Sequence, residues 1–341
     1  MPTTPPSTGL RVPDVATSVL VTGAAGFAGS HLVDALSAGG ASVIAWSHRH
    51  GPPPTPSPTT WQAVDLLDRD AVARAIAHHR PSVVYHCAGV AQSNSAVDRI
   101  GATFEVNARG TAHLLAAVER HAPDARVVVT SSAFVYAPSL DALHEDSPIG
   151  PAGPYAVSKL AQDTLAARAA ERGLNVVVAR PFNHIGPRQS ADFVASSVAR
   201  QVARIERGVM PPVLHVGNLS AKRDFTDVRD VVNAYVVMAK RGARGNCFNV
   251  CSGRAVAIHD LVHGLVARSR VPIDVVVDPA RVRPIDVPVV VGSAERLQRA
   301  TGWHAATPLD TTLDDLLEWW RARTASKYLG RRGQTPRSLP Y

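Results

Sequence analysis

Short apolar runs alternate with longer amphipathic segments through the first half of the chain. The short runs have the length of buried strands, and the longer segments repeat their apolar residues at helical spacing. This alternation is typical of a parallel sheet wound on both faces by helices, so it predicts an α/β fold with a doubly wound sheet. The predicted strands cover residues 17–22, 41–46, 61–64, 82–86, 126–131 and 174–179, and the predicted helices cover 27–36, 69–79, 100–121 and 155–172.

After Arg180 the alternation becomes less regular. Helical patterns are mixed there with short apolar strands, and we interpret this half as a smaller C-terminal lobe interleaved with the last strands of the sheet. The helical patterns lie at 193–207, 228–240, 258–267 and 309–320, and the short strands lie near Val213, Phe225, Phe248 and Val275.

The composition is that of a folded protein. Of the 341 residues, 45% are hydrophobic and 19% are charged, which excludes a mainly disordered chain. No apolar run approaches the roughly 18 residues that a membrane helix needs, and residues 1–15 lack the apolar segment of a secretion signal. Three cysteines are too few for a disulfide framework. We therefore expect a cytoplasmic protein with no membrane partner.

The formal charge of +8 raises the question of nucleic-acid binding. Six basic residues and no acid lie between Arg321 and Tyr341, so much of the excess charge belongs to the C-terminal tail. Aromatic residues make up 5% of the chain, which leaves few platforms for stacked bases. We expect no nucleic-acid partner, and we attribute the charge to a solvated tail and to the binding of anionic small ligands.

A glycine-rich loop follows the first predicted strand and opens the first helix. Gly23, Gly26 and Gly29 are spaced three residues apart, with Phe27 and Ala28 between the last two. Glycines at such a junction allow a tight turn and let the backbone approach a diphosphate at the helix N-terminus. An ordinary strand–helix turn is the alternative, but the position in the first βα unit favours a dinucleotide site. The pattern therefore predicts a Rossmann-type fold.

The end of the second strand bears on which dinucleotide binds. An NAD-binding fold usually carries an acidic residue there, which accepts a hydrogen bond from the ribose 2′-hydroxyl. Residues 46–50 contain no acid, whereas Ser47 and Arg49 suit the 2′-phosphate of NADP. We therefore expect NADP, with NAD as the second choice and with a purely solvated Arg49 as the alternative.

Tyr155 and Lys159 are four residues apart and share one face of a predicted helix. A nearby cation stabilises phenolate and lowers a tyrosine pKa, so Tyr155 is a candidate acid for a carbonyl oxygen, with Lys159 as its partner. Ser132 follows the strand at 126–131, and the carboxyl ends of parallel strands are where ligands bind. We predict that Ser132, Tyr155 and Lys159 form a catalytic group.

The combined motifs resemble the extended short-chain dehydrogenase/reductase family, in its nucleotide-sugar branch, over residues 17–322. In the first half the matching segments are the three glycines, 65–66 after the third strand, 86–89 after the fourth, 107–111, Ser131 and Ser132 with Tyr136, and 155–159. In the second half they are 180–187, 222–227 and 283–286.

The resemblance implies roles for further residues. Arginine donors suit phosphate oxygens, and carboxylates accept from ribose hydroxyls, although a surface ion pair is the alternative for each charged residue. In the cofactor site the resemblance implies that Asp65 and Leu66 contact the adenine. It also implies cofactor contacts from Ala88, Gly89, Asn107, Tyr155, Lys159 and Pro181. In the substrate site it implies diphosphate contacts from Asn183 and Arg223, phosphate and ribose contacts from Arg283 and Asp286, and further contacts from Phe134, Arg188 and Lys222.

One position narrows the reaction that the resemblance implies. Two residues before Tyr136, the related 4,6-dehydratases carry a glutamate and the 3,5-epimerases a cysteine, whereas this chain has Phe134, preceded by Ala133. Neither side chain can move a ring proton, which leaves hydride transfer at C4, either as net reduction of a 4-keto sugar or as 4-epimerisation. The absence of an acid after the second strand favours NADPH and reduction.

Three segments, 180–189, 216–230 and 278–303, are most similar to GDP-4-keto-6-deoxymannose reductases, with the GDP-mannose 4,6-dehydratases as close relatives. We therefore expect an oxidoreductase that converts GDP-4-keto-6-deoxymannose to GDP-rhamnose or its C4 epimer. An NAD-dependent nucleotide-sugar 4-epimerase is the main alternative, and a non-catalytic dinucleotide-binding protein is a remote one.

The resemblance also implies a homodimer in which the helices at 100–121 and 155–172 form a four-helix bundle, unless these helices only cover the sheet. No metal site is expected. The predicted domains are a disordered arm at 1–15, a dinucleotide-binding Rossmann domain at 16–180, a substrate-binding lobe at 181–322 that is interleaved with the last strands of the sheet, and a basic tail at 323–341.

Overall fold

A computed structural model describes residues 18–48, 59–91, 100–281 and 287–329. The predicted arm at 1–15, Arg49, Arg283, Asp286 and most of the basic tail lie outside the described residues. The predictions made for them therefore stay predictions.

The centre of the protein is a seven-stranded parallel sheet, which confirms the predicted fold class. Its strands run in the order β10-β6-β5-β4-β1-β2-β3, and every neighbouring pair is parallel. Apolar residues dominate the inner strands because helices cover both faces of the sheet. The strands are β1 (Ser18–Thr22), β2 (Ser42–Ser47), β3 (Thr60–Ala63), β4 (Val83–His86), β5 (Arg126–Thr130), β6 (Asn175–Pro181) and, from the second half of the chain, β10 (Cys247–Val250).

Successive strand residues point to opposite faces, so the sheet separates two apolar cores. Val19 and Val21 pack into one core with α1 (Phe27–Ala38) and α7 (Val228–Arg241). Leu20 packs into the other, with α2 (Arg69–His79), α4 (Gly110–His121) and α5 (Pro154–Glu171).

The segment predicted as one helix at 100–121 is divided. It consists of α3 (Ile100–Phe104), a π-helical turn (Glu105–Arg109) and α4. The wide turn carries Asn107, whose buried side-chain amide bonds both the N–H and the carbonyl of Val90 in the loop after β4. This tertiary contact accompanies the change in helical period, and such turns are frequent at functional sites.

The C-terminal lobe has its own core, built around Leu214, Phe225, Leu261 and Leu316. β11, β9 and β13 form a small sheet with β7 beside β9, and β8 pairs with β12. The remaining elements are β7 (Asn183–Ile185), α6 (Val194–Glu206), β8 (Val213–Val216), β9 (Lys222–Asp227), β11 (Ala255–Ala257), α8 (Ile258–Ala267), β12 (Asp274–Val277), β13 (Val289–Val290), α9 (Glu295–Thr301) and α10 (Leu309–Leu329).

The chain passes from the sheet to the lobe more than once. After β7 and α6 of the lobe it returns to the central sheet with α7 and β10, and then re-enters the lobe at β11. Within the described ranges, no helix combines the length and the apolar character that crossing a membrane requires.

Candidate active site

The glycine loop joins the carboxyl end of β1 to α1. Gly23 has a φ of +66°, and a Cβ there would lie 2.6 Å from the Cα of Ala88, so only glycine fits. A Cβ at Gly29 would lie 2.2 Å from the carbonyl oxygen of Gly23. Gly26 precedes α1 and has no side chain to cap it, so the backbone N–H groups of Phe27 and Ala28 at the start of the helix can donate to a ligand. The loop therefore fits a diphosphate.

The ends of β2 and β3 bring together the residues predicted beside the adenosine ribose and the adenine. Ser47 ends β2 and is buried, and Asp65 and Leu66 follow β3. His48, which the sequence analysis did not single out, lies 3.9 Å from the Asp65 carboxylate. Leu66 is buried, and a Cβ at Gly110 would lie 3.1 Å from it. Among the described residues at the end of β2 there is no acid.

Tyr155 and Ser132 meet at the carboxyl end of β5, and their hydroxyl groups are hydrogen-bonded. Ser132 also accepts a bond from the backbone N–H of Phe134 at 3.2 Å. The Phe134 ring stands edge to face against Tyr155, with 6.2 Å between ring centres. Ser132 and Tyr155, which were predicted together as catalytic residues, and Phe134, which was predicted as a substrate contact, therefore line one small surface that is partly open to solvent.

The pKa of Tyr155 differs from the sequence expectation. Burial raises it to about 12, and the hydrogen bond from Ser132 only partly opposes this effect. The expectation that Lys159 lowers this pKa is not met, because the ammonium group of Lys159 is bonded elsewhere. Tyr155 is therefore protonated at neutral pH.

Lys159 is buried behind Tyr155. Its Nζ donates to the carbonyl of Thr130 at 2.9 Å and to Oε1 of Gln162 at 2.9 Å. Burial lowers its pKa to about 8, while the nearby Asp163 carboxylate favours the charged form. A Cβ at Gly89 would lie 3.3 Å from this Nζ and 2.9 Å from Oδ1 of Asn107, so Gly89 leaves room beside the ammonium group.

On the substrate side, β7 lies beside β9. Asn183 is in register with Phe225, and Arg223 is two residues before Phe225, so Asn183 and Arg223 project from the same face of these strands. Asn183 and Arg223 are partly buried, and Lys222 is exposed. This arrangement is compatible with the predicted diphosphate site, which stays a prediction.

Arg188 and Pro181 lie at the edges of this region. The Arg188 guanidinium donates to the Asp34 carboxylate of α1 at 2.6 Å and so ties its loop to α1. Arg188 has a φ of +74°, which is strained for a residue with a side chain. Pro181 ends β6, where it pairs with Val250. Their predicted substrate and cofactor roles remain predictions.

A buried ion pair behind Lys159 was not predicted. Arg180 of β6 lies 2.7 Å from Asp163 of α5, and their side chains are 12% and 6% exposed. Arg180 also donates to the Tyr136 hydroxyl at 3.0 Å, and that hydroxyl donates to Asn249 at 2.7 Å. The only sequence signal was that Asp163 follows Lys159 by one helical turn, which a single sequence does not distinguish from a surface pair.

His184 packs against the start of α1. Its ring stacks on Phe27 with 5.5 Å between centres, and its Nδ1 donates to the carbonyl of Phe182. Burial lowers its pKa, so the ring is neutral at physiological pH. In the part of the chain that the structure describes, no three His, Cys, Asp or Glu side chains gather as a metal site.

Residues 19–251 match the NAD dependent epimerase/dehydratase family. GDP-6-deoxy-D-mannose reductase of Pseudomonas aeruginosa is 35% identical over 311 residues, covering 89% of this chain and 97% of that protein. The structure of RMD from Pseudomonas aeruginosa complexed with NADPH has 34% identity and a TM-score of 0.78, covering 90% of this chain and 99% of that one.

The structure of MoeE5 in complex with UDP-glucose and NAD is 31% identical with a TM-score of 0.80, and the match covers 90% of this chain and 99% of that chain. These matches extend across both the sheet and the lobe, and they confirm the resemblance stated from the motifs. The chain therefore belongs to the NAD dependent epimerase/dehydratase family, within the extended short-chain dehydrogenases/reductases.

Proposed function

We propose that this chain is an NADPH-dependent oxidoreductase that reduces the C4 ketone of a nucleotide-activated 4-keto-6-deoxyhexose. The proposed substrate is GDP-4-keto-6-deoxymannose, and the product is GDP-rhamnose or its C4 epimer. The observation that carries this proposal is the contact of Tyr155 with Ser132 and Phe134, which offers a proton donor for a ketone oxygen and no base for a ring carbon. The identity of 35% with a GDP-6-deoxy-D-mannose reductase supports the same reaction.

In this mechanism Tyr155 is the general acid. NADPH, when bound, supplies the hydride that adds to C4. Ser132 donates a hydrogen bond to the ketone oxygen, and Tyr155 transfers its proton to that oxygen as negative charge develops. The raised pKa keeps Tyr155 in the protonated state that a general acid requires. The buried charge of Lys159 favours the negative charge that develops on the ketone oxygen.

Phe134 limits the reaction to C4. A phenyl ring has no titratable proton, so it cannot remove hydrogen from C3 or C5 of the sugar. Its ring is 39% exposed beside Tyr155, which suits packing against a sugar face. Dehydration and 3,5-epimerisation are therefore outside the proposed activity.

The residues of the glycine loop fit a dinucleotide diphosphate, because α1 begins without a side-chain cap. For the cofactor we propose NADP, with NAD as a weaker alternative. Ser47 and His48 occupy the end of β2 where an NAD-preferring fold carries an acid. The NADPH complex of the 34% identical structure supports this choice, whereas the similar MoeE5 structure contains NAD.

A 4-epimerase is the second candidate function. It needs its tyrosine as a base in one half-reaction and as an acid in the other, and it returns the same hydride. The described end of β2 carries no acid, which favours an exchangeable NADPH over a permanently bound NAD. This observation makes net reduction the preferred function.

We also propose a homodimer that forms through α3, α4 and α5, in a cytoplasmic setting. Ile100 and Phe104 of α3 and Val157 of α5 are 46%, 43% and 44% exposed, which is unusual for large apolar side chains on neighbouring helices. Light scattering of the purified protein measures its mass directly. Replacing Phe104 by glutamate should then yield a monomer.

The test of the proposed function is a panel of GDP-, dTDP-, UDP- and CDP-linked 4-keto-6-deoxy sugars, each assayed for oxidation of NADPH. We expect the fastest oxidation with the GDP-linked sugar. Absence of oxidation with every sugar, together with conversion of a nucleotide hexose into its C4 epimer, would establish the epimerase instead.

A further inference from the structure

Five buried polar side chains form a continuous hydrogen-bond chain that begins at Lys159. Lys159 Nζ bonds Gln162 Oε1 at 2.9 Å, Gln162 Nε2 bonds Thr111 Oγ1 at 3.0 Å, and Thr111 Oγ1 lies 2.8 Å from His86 Nε2. His86 Nδ1 lies 2.8 Å from Thr22 Oγ1. These side chains are between 0% and 6% exposed. We call them the buried hydrogen-bond chain.

The direction of every bond in the chain follows from donor and acceptor chemistry. An ammonium group can only donate, so Gln162 turns its oxygen to Lys159 and its NH₂ to Thr111. Thr111 Oγ1 is also 2.6 Å from the carbonyl of Asn107, which can only accept, so the hydroxyl hydrogen lies there. Thr111 Oγ1 therefore accepts from both Gln162 and His86.

His86 is consequently held in one tautomer. Its Nε2 carries the hydrogen that bonds Thr111, and its Nδ1 accepts from the Thr22 hydroxyl. Thr22 in turn accepts from the backbone N–H of Ala88 at 3.2 Å. Burial and the charge of Lys159 lower the pKa of His86 to about 3, so the ring stays neutral. The buried hydrogen-bond chain therefore ends at the Thr22 hydroxyl, and the bonds at its His86 end run in one direction.

We propose that Gln162 is a positioning residue for catalysis, which holds the Lys159 ammonium group in place and is itself fixed by Thr111 and His86. This inference deepens the proposed function and rests on it for the role of Lys159. Thr130 and Gln162 occupy two of the three ammonium hydrogens, which leaves the third for the side on which Gly89 keeps space open. Loss of the Gln162 oxygen frees Lys159 to turn.

Other titratable side chains also face Lys159. Asp163 and Tyr155 are on the same helix face, and Cys87 and His86 face it from β4 and the loop that follows. Of these, Asp163 contributes most to favouring the charged form of Lys159. Because Gln162 is neutral, its replacement by leucine changes hydrogen bonding to Lys159 without changing the charge around it.

The first experiment needs no substrate. The chain has four lysines, at positions 159, 222, 240 and 327, so NMR of protein labelled with ¹³C-lysine gives four titrating signals. The Lys159→Arg variant identifies the signal of Lys159, whose pKa is expected at about 8 in the wild type. In Gln162→Leu this pKa should fall further, because an acceptor for the charged form is lost. An unchanged pKa overturns the proposal.

The second experiment measures turnover of the 4-keto sugar. Gln162→Leu should lower kcat by about 10-fold and leave both KM values within about twofold, because Lys159 acts on the transition state. Gln201→Leu is the matched control, since Gln201 is a buried helix glutamine whose side-chain amide bonds Ser197 in the same helix. If Gln162→Leu does not fold, Gln162→Met keeps the unbranched shape and carries both measurements.

A double variant tests whether the buried hydrogen-bond chain acts as a unit. Thr111→Val removes the support of the Gln162 amide, so adding it to Gln162→Leu should cost little beyond the single change. Fully additive losses in kcat, or an active enzyme whose kcat is unchanged by Gln162→Leu, overturn the proposal. If the wild type reduces no 4-keto sugar but Gln162→Leu still lowers the pKa of Lys159, the proposed function is refuted and the role of Gln162 is supported.

Discussion

Polar side chains on the two sides of the site are held in different ways. On the side of β1, β4, β5 and α5, residues such as Asn107 and Lys159 are buried and bonded to neighbours on other elements. On the side of β7 and β9, Asn183 and Arg223 are partly exposed and Lys222 is exposed. The comparison teaches that the fold buries and fixes the groups predicted to be catalytic, whereas the residues predicted to bind substrate lie nearer to solvent.

The largest effect should come from breaking the buried pair behind the catalytic side. Asp163→Ala leaves the Arg180 guanidinium buried without its carboxylate, which should cost about 3–5 kcal/mol in the free energy of unfolding. Glu119→Ala is the control, because Glu119 and Arg172 form an exposed pair, and its loss should cost less than about 1 kcal/mol. Urea denaturation measures both, and equal losses would contradict the difference between the buried and exposed pairs.

The next effect concerns the proton donor. Tyr155→Phe removes one hydroxyl, so binding of NADPH should survive while kcat falls about 100-fold or more. Tyr85→Phe is the matched control, because Tyr85 is buried in the apolar core that the sheet shares with α1 and α7. Steady-state kinetics checks both variants, and near-normal turnover of Tyr155→Phe would reject Tyr155 as the acid.

A smaller effect is expected on the substrate side. Arg223→Ala should raise the KM for the nucleotide sugar about 10-fold and leave kcat nearly constant, because a charge-assisted contact is lost equally from ground and transition states. Arg168→Ala, which removes an exposed arginine at the end of α5, should change neither value. If kcat falls and KM stays unchanged, Arg223 acts on the transition state, as the buried catalytic residues are proposed to do.

The smallest effect should come from Arg188. Its ion pair with Asp34 is well exposed on both sides, so Arg188→Ala should change the free energy of unfolding by less than about 1 kcal/mol. The KM for the nucleotide sugar separates the two roles considered for this residue. An unchanged KM leaves Arg188 as a link to α1, and a clear rise supports the predicted substrate contact.

The sequence was sufficient for the features that rest on local pattern. The glycine loop, the strands of the sheet and the pairing of Tyr155 with Lys159 on one helix face were all predictable from spacing and apolar periodicity. The six predicted strands of the first half are observed within two residues at each end.

Features that depend on contacts between distant segments were not predictable. The π-helical turn accompanies the bonds of Asn107 to Val90, and the Asp163–Arg180 pair joins α5 to β6. The pKa of Tyr155 was expected in the wrong direction, because the sequence gives the spacing to Lys159 but not the direction of its ammonium group. Burial and partner choice are tertiary properties, and one sequence does not determine them by local pattern.

The most direct test of the central claim follows hydrogen at three ring carbons. The enzyme is given the GDP-linked 4-keto-6-deoxy sugar with deuterated NADPH, and a second reaction uses NADPH in D₂O. Because Tyr155 serves the C4 oxygen and Phe134 has no titratable proton, we expect one cofactor deuterium at C4 and no solvent deuterium at C3 or C5. Solvent deuterium at C5 would contradict the account, because another residue would then act as a ring base.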